Sequence, residues 1–240
     1  MKTIGLLGGM SWESSAEYYR LINTLVREEV GGLHSAEIVM VSIDFATFEP
    51  LLTAGRWDAV ADRLIGAARS AERAGADVIV VCTNTGHKVA DELTAAVGVP
   101  VLHIADVVAE AVQALGLDTV GLLGTRFTMT ESFFPDRLSG YGIRTIVPAP
   151  PEQDLVNRVI FDELVLGVLR EDSRTAVVDV AQRLVAQGAQ GVVLGCTELE
   201  LLVHAEDATF PLFPTTALHA AAAVRWAVDP PPDSAVVPQN

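Results

Sequence analysis

Lys2-Thr3-Ile4-Gly5-Leu6-Leu7-Gly8 lies near the start of the chain and returns as Asp118-Thr119-Val120-Gly121-Leu122-Leu123-Gly124. Both stretches are apolar at their centre and end in glycine, which is typical of a buried parallel strand that leads into a loop. A Cys-Thr pair follows each stretch: Cys82 lies 77 positions after Gly5, and Cys196 lies 75 positions after Gly121. The chain is therefore interpreted as two copies of one α/β unit in nearly the same register.

Local signals predict the elements within each copy. Short apolar runs predict strands near residues 3–8, 37–43, 77–82, 99–103, 119–123, 143–147, 191–195 and 210–213. Helical stretches end at Gly75-Ala76 and Gly188-Ala189, because glycine is a common helix stop. Ser14-x-x-Glu17 and Thr128-x-x-Glu131 have capping-box spacing, which predicts a helix soon after each first strand. Each cysteine then lies at the carboxyl end of a strand, the edge at which α/β sheets bind ligands.

The alternation of strands and helices predicts the α/β class, with two pseudo-symmetric Rossmann-like domains, mostly parallel sheets and the active site between them. We expect the first domain, carrying Cys82, to comprise residues 1–98 plus 208–228. The second domain, carrying Cys196, is expected to comprise residues 99–207. A helix over 216–228 is expected to pack on the first domain, and proline-rich residues 229–240 are predicted to form a disordered tail.

Composition narrows the classes of partner. The 240 residues carry a net charge of −15, which argues against nucleic acid and anionic membranes because clustered Lys and Arg bind those partners. No apolar stretch reaches the roughly 18 residues of a membrane helix, and the amino-terminal residues lack a signal-peptide pattern. We therefore expect a soluble cytoplasmic protein that binds a small molecule.

The two cysteines are the strongest candidates for chemistry, in Cys82-Thr83-Asn84-Thr85 and Cys196-Thr197-Glu198. A single cysteine is often just a small buried hydrophobic residue, but these two occupy equivalent strand ends and precede polar side chains. A thiolate and a thiol across a small cleft can invert a carbon that bears hydrogen, because one removes a proton from one face and the other protonates the opposite face. A free thiol has a pKa of about 8.5, so both forms are accessible near neutral pH.

Two glycine-containing loops could hold an anionic group of the ligand. Gly8-Gly9-Met10-Ser11 and Gly124-Thr125-Arg126-Phe127-Thr128 each lie between a strand and a helix, where backbone amides can bind a carboxylate. A nucleotide phosphate is the rival interpretation, but neither GxGxxG nor GxxxxGK[ST] is present. Arg126 could face the site or the solvent, and both possibilities stay open.

Cofactor sites are poorly supported by the sequence. A zinc site of Cys82, His87 and Cys196 would have only three ligands of mixed origin. Lys2 and Lys88 are the only lysines, and neither has the context of a pyridoxal-phosphate Schiff base. The other histidines could all be structural, so no metal or cofactor is expected.

The chain resembles the cofactor-independent aspartate/glutamate racemase family, within the wider group that includes hydantoin racemases. The resemblance extends from residue 4 to about residue 215. It rests on residues 5–15 (GLLGGMSWESS) with Tyr18-Tyr19, 34–36 (HSA), 82–87 (CTNTGH), 121–125 (GLLGT) with Thr128-Met129, and 195–199 (GCTEL).

The resemblance implies a two-domain enzyme, usually a homodimer, in which Cys82 and Cys196 are the two acid/base residues. It also implies a set of residues that line the substrate pocket: Met10, Ser11, Thr83, Asn84, Thr85, Thr125, Thr197 and Glu198. The chain departs from the family at Gly86, where members commonly have Met. That change predicts a pocket that is larger or more mobile at this position.

Our hypothesis is therefore an isomerase, a PLP-independent amino-acid racemase that uses two cysteines for 1,1-proton transfer at the α-carbon. Hydantoin racemisation and isomerisation of a small diacid on the same scaffold are alternatives. A third interpretation is a catalytically silent amino-acid-binding protein. The preferred amino acid stays open, because Asp and Glu need a cation for their second carboxylate and no arginine is uniquely placed to supply it.

Overall fold

The computed structural model describes residues 1–228, which form two halves of the same α/β design. The strands are β1 (Ile4–Gly8), β2 (Ile38–Ser42), β3 (Val78–Val81), β4 (Val101–Leu102), β5 (Thr119–Gly124), β6 (Arg144–Ile146), β7 (Val192–Gly195) and β8 (Leu212–Pro214). The α-helices are α1 (Trp12–Val30), α2 (Phe45–Thr53), α3 (Trp57–Arg73), α4 (Ala90–Ala96), α5 (Ile104–Ala114), α6 (Arg126–Thr130), α7 (Phe133–Ser139), α8 (Pro150–Asp162), α9 (Glu171–Ala186), α10 (Leu199–Leu202) and α11 (Thr215–Val228). Short 3-10 helices span Thr85–Val89, Leu164–Leu166 and Ala205–Asp207.

Two four-stranded parallel sheets confirm the predicted fold class. The first sheet has the order β2-β1-β3-β4, and the second has the order β6-β5-β7-β8. All neighbouring strands pair in parallel. The strand permutation is the same in both halves, so the duplication seen in the sequence is a duplication of topology.

Each sheet is covered on both faces, which explains why its central strands are apolar throughout. In β3, Ile79 and Val81 pack in the cluster formed with α2 and α3. Val78 and Val80 pack on the opposite face, with α1 and α11. Alternate residues of a strand point to opposite faces, so β3 contributes to two cores at once.

Strand pairing crosses both predicted domain limits, which stay predictions. β4 pairs with β3 through Ile79 and Val101, so it belongs to the first sheet although it lies in the segment 99–207 assigned to the second domain. β8 pairs with β7, so it belongs to the second sheet although it lies in the segment 208–228 assigned to the first domain. Pro100 directly precedes the edge strand β4, and its carbonyl accepts a hydrogen bond from the Ile79 amide at 2.8 Å. Proline is tolerated there because an edge strand needs fewer amide donors.

The helix starts lie three residues earlier in the chain than the predicted capping boxes. Ser11 caps α1 and accepts a hydrogen bond from the Ser14 amide, while Thr125 caps α6 and accepts from the Thr128 amide. Gly75 and Gly188 follow α3 and α9, as predicted, and both have positive φ values. Ser11 and Thr125 therefore occupy the same position in the two halves, directly after the glycine loops.

The final helix packs as predicted, and the tail lies outside the described residues. α11 packs against α1, and the Lys2 amide donates to the Ala227 carbonyl at 2.9 Å. The predicted disordered segment 229–240 is not among residues 1–228. No helix within those residues is long and apolar enough to cross a membrane.

Candidate active site

A cavity between the two halves collects the loops that follow β1, β3, β5 and β7. In each sheet the connections from the two middle strands run in opposite directions, which opens a crevice at the carboxyl edge. The cavity has an empty volume of about 550 Å³, including its open mouth. Its lining includes Cys196 and every pocket residue that the resemblance implied: Met10, Ser11, Thr83, Asn84, Thr85, Thr125, Thr197 and Glu198.

Glu198 organises the thiol of Cys196. The Cys196 Sγ donates to Glu198 Oε2 at 3.0 Å, and the Thr197 hydroxyl donates to the same oxygen at 2.5 Å. The Ser11 hydroxyl, from the other half, donates to Glu198 Oε1 at 2.7 Å. Burial, followed by the nearby Glu198 carboxylate, raises the pKa of the Cys196 thiol. In this arrangement Cys196 is a protonated thiol with a proton acceptor already in contact.

Hydroxyl groups join the two halves around this centre. Ser14 of α1 bonds to Thr197, and Thr85 Oγ1 lies 3.2 Å from Thr125 Oγ1. Hydroxyls can donate or accept by rotating. They can therefore re-form their bonds around a ligand that enters the cavity.

Cys82 occupies the matching strand end but is not among the residues that line the cavity. Its side chain is 0% exposed and packs with Tyr18 and Val80 on the α1 and α11 face of the first sheet. Because side chains alternate along the strand, Cys82 lies on the same face as Val80, whereas Thr83 lines the cavity. Burial raises the pKa of the Cys82 thiol. Two thiols that face each other across the cavity therefore remain a prediction.

Asn84 presents an unused acceptor. The residue is 3% exposed, and its Nδ2 donates to Thr215 Oγ1 at 2.9 Å. The Thr215 hydroxyl in turn donates to the Leu194 carbonyl at 2.9 Å, which fixes the amide orientation because the Thr215 oxygen must accept. Asn84 Oδ1 is left buried without a hydrogen-bond partner, so this residue can accept a hydrogen bond from a ligand.

An apolar wall was missed by the sequence reasoning. It consists of Phe45, Phe48, Leu52, Phe127, Ile160, Phe161 and Val165. Its residues come from α2, α6, α8 and the segment after α8, which are distant in sequence. Four of the eight phenylalanines of the chain line one cavity. That concentration exists only in three dimensions, so no local pattern could have revealed it.

Gly86 lines the cavity, but the expected extra space is filled from behind. A Cβ atom at this position would lie 2.9 Å from Thr83 Cγ2 and 3.1 Å from Val81 Cγ1. The position is therefore tightly packed, and Thr83 and Val81 occupy the space toward which a side chain would leave the backbone.

The basic residues Arg126 and Lys88 and the candidate metal ligand His87 lie outside the cavity lining. The Arg126 guanidinium binds Asp154 at 2.6 Å with 58% of its side chain exposed, which settles its orientation toward solvent. Lys88 pairs with Glu131 and lies 3.8 Å from the centre of the Trp57 ring. His87 Nδ1 donates to the Thr83 carbonyl at 2.8 Å. Within residues 1–228, no group of three or more His, Cys, Asp or Glu side chains is arranged to hold a metal ion.

Two duplicated α/β halves with a thiol-bearing cavity between their strand ends define a two-half α/β protein with a candidate active site at their junction. The sequence pattern of the Asp/Glu/hydantoin racemase family matches residues 7–223. The chain belongs to this family, which confirms the resemblance and the prediction of an isomerase.

Solved structures show the same relationship. A candidate Asp/Glu racemase from Yersinia pestis is 52% identical, with a TM-score of 0.89 over 95% of this chain and 100% of that chain. An aspartate racemase homologue from Pyrococcus horikoshii is 34% identical, with a TM-score of 0.84 over 95% of this chain and 100% of that chain. The aspartate racemase of Picrophilus torridus is 18% identical, with a TM-score of 0.76 over 95% of both chains, and supports the fold alone.

Proposed function

We propose that this protein is an amino-acid racemase that needs no cofactor and inverts the α-carbon by proton transfer between Cys196 and Cys82. The observation that carries this proposal is the Cys196 thiol in the cavity, 3.0 Å from the Glu198 carboxylate. It is supported by the second cysteine at the equivalent strand end of the other half.

The proton inventory of the reaction balances without an outside reagent. Cys196 gives its thiol proton to Glu198, and the thiolate then takes the α-hydrogen of the substrate as a proton. The electron pair left on the α-carbon delocalises into the α-carboxylate, which hydrogen-bond donors stabilise. Cys82 protonates the opposite face and becomes a thiolate. The inverted product leaves, and Cys82 recovers a proton as Glu198 loses one to solvent.

In this reaction the polar residues of the cavity bind different groups of the amino-acid substrate. Asn84 Oδ1, which has no other partner, accepts from the α-ammonium group. The hydroxyls of Thr83, Thr85 and Thr125 donate to the α-carboxylate. Met10, Ser11 and Thr197 complete the pocket around Glu198. For Cys82 to reach the substrate, the end of β3 must turn its thiol toward the cavity when the ligand binds.

The direct test is incubation of single-enantiomer amino acids with the purified protein in deuterated water, without pyridoxal phosphate or metal. Gain of α-deuterium together with loss of optical purity is expected. Hydantoins and maleate, tested in parallel, address the alternative reactions. Binding of amino acids without any deuterium exchange would overturn the proposal in favour of a silent binding protein.

The assembly and location are part of the same proposal. We propose a cytoplasmic homodimer. Trp12 and Tyr19 lie seven residues apart on one exposed side of α1, and exposed aromatic residues of this kind favour association. Light scattering is expected to give twice the chain mass of 25.5 kDa, and a monomeric mass at micromolar concentration would contradict the dimer.

A further inference from the structure

We propose that the substrate carries an uncharged aliphatic side chain, of about the size of norvaline or methionine, rather than a second carboxylate. This inference rests on the proposed racemase function. It follows from how charge and apolar surface are distributed around the cavity.

The cavity lining offers no cation for a distal carboxylate. Among the residues that line it, only Cys196 and Glu198 are ionisable, and Glu198 carries a negative charge when it accepts its three hydrogen bonds. An amino-acid head group is neutral overall, so it can bind beside Glu198 with its ammonium group paired. A glutamate or aspartate substrate would add a net negative charge to a buried site that is already anionic, which is costly unless a partner neutralises it.

Two basic residues close in sequence to the lining, Arg126 and Lys88, are already paired with carboxylates, and Arg158, two residues before Ile160, is exposed. Arg126 follows the pocket residue Thr125 directly, but its guanidinium binds Asp154 on the exposed side of the loop. Lys88 is held by Glu131 and by the ring of Trp57. Trp57 in turn packs edge-on against Phe127, with ring centres 5.8 Å apart. Neither cation is free to enter the cavity without breaking its own ion pair.

The apolar wall supplies the surface that such a side chain would bury. Phe48 and Ile160 are each 1% exposed, so they are rigidly packed, and Phe127 is held from behind by Trp57. The head group binds at the polar strand ends near Asn84 and Glu198, which directs the side chain toward this wall. Burial of apolar surface is favourable, and the gain grows with each buried methylene, so a chain of three or four carbons gains affinity from this contact.

The test compares norvaline with glutamate, which have side chains of similar length but different charge. We expect kcat/KM for L-norvaline to exceed that for L-glutamate by at least 30-fold, and calorimetric Kd values to follow the same order. Equal or better turnover and binding of glutamate would overturn the inference while leaving racemase activity intact. If norvaline binds in preference to glutamate but neither is turned over, the proposed racemase function is overturned, while the preference of the cavity for an uncharged side chain is supported. Binding of neither amino acid would overturn both.

Three variants separate the effect of charge on substrate preference from a general loss of fit. Phe161→Arg places a guanidinium in the wall and is expected to shift the norvaline-to-glutamate ratio of kcat/KM at least tenfold toward glutamate. Phe161→Leu, the uncharged control, should leave the preference for norvaline. Arg126→Gln should leave the ratio within twofold, because the guanidinium faces Asp154. A selective loss of glutamate turnover in Arg126→Gln would show that this arginine binds the distal carboxylate and would contradict the inference.

Discussion

At the scale of single residues, the hydrogen bonds of Glu198 indicate a more specific role than the sequence alone predicted. The resemblance implied a substrate-binding side chain, but its carboxylate accepts from Ser11, Cys196 and Thr197. Its negative charge is one of the causes that raise the pKa of Cys196, after burial. The same carboxylate can take the thiol proton over 3.0 Å. We therefore propose that Glu198 is the proton acceptor for the Cys196 thiol.

Replacement of Glu198 tests this role. Glu198→Gln retains a hydrogen-bond acceptor but cannot accept the thiol proton, so kcat is expected to fall about 100-fold while KM changes little. Activity of the variant should rise more steeply than that of the wild type between pH 7 and pH 10, because solvent must then deprotonate Cys196. The measurement is a kcat profile against pH for both proteins.

Glu200→Gln is the matched control for that experiment. Glu200 lies two residues further along but binds the start of α11, where its Oε1 accepts from the Thr216 amide at 2.6 Å. The kcat of Glu200→Gln near pH 7 is expected to stay within threefold of the wild-type value. Equal losses in Glu198→Gln and Glu200→Gln would contradict a specific role for Glu198.

At the scale of elements, Glu200 couples α10 to α11 in a manner that depends on pH. Burial raises the pKa of this carboxyl to about 8, despite hydrogen bonds from Thr216 and Ala217 that act in the opposite direction. The folded protein thus holds a proton that the unfolded chain releases near pH 4.3. The stabilisation from this group is complete below the pKa of the unfolded chain, and it is lost as the pH rises from that value through the folded-state pKa of about 8.

The melting temperature of Glu200→Gln relative to the wild type is expected to change across that range. Between pH 5 and pH 9, the melting temperature of the wild type should fall by several degrees relative to that of the variant. The reason is that the buried carboxyl group of Glu200 must ionise at high pH, whereas the Gln side chain cannot. Thermal melts of both proteins at matched ionic strength measure the difference. A pH-independent difference in melting temperature would contradict the raised pKa.

All eight strands could be predicted from the sequence because most are short apolar runs, and several of these lie beside glycine or proline. The helix after β1 could be predicted, but its cap could not be placed: Ser14 has capping-box spacing, yet its hydroxyl binds Thr197 of the other half. The membership of β4 and β8 in their sheets depended on pairing across the chain. The polar residues of the cavity follow strands directly and were accessible to motif reasoning, whereas the apolar wall depends on how α2 and α8 are brought together.

At the scale of the whole molecule, three histidines form a cluster near the first sheet's carboxyl edge, in which His87 and His219 are buried and His103 is half-buried. The ring of His87 lies 4.9 Å from that of His103 and 5.5 Å from that of His219, measured between centroids. His219 Nε2 donates to the Leu102 carbonyl at 3.1 Å, and its Nδ1 accepts from the Tyr18 hydroxyl at 2.9 Å. Burial lowers the pKa of His87 to about 4 and that of His103 to about 3, and it also lowers the pKa of His219.

This cluster predicts a loss of stability in acid. The unfolded chain binds protons at these histidines near pH 6.5, whereas the folded protein keeps them neutral. Stability is therefore complete above pH 6.5 and falls as the pH drops toward 4. Calorimetric unfolding at pH 5.5 in buffers of different ionisation enthalpy should show net proton uptake, and uptake of no protons would contradict the burial of neutral histidines.

The central claim is that the two halves each contribute one thiol to a single proton-transfer reaction. The most direct measurement follows α-deuteration and chirality for both enantiomers of one accepted substrate with Cys82→Ala and Cys196→Ala. Each variant is expected to lose racemisation by at least 1,000-fold, and any α-hydrogen exchange that persists should involve opposite enantiomers in the two variants. Racemisation at the wild-type rate in Cys82→Ala, whose thiol lies outside the cavity lining, would contradict the two-thiol mechanism and leave Cys196 to act with a different partner.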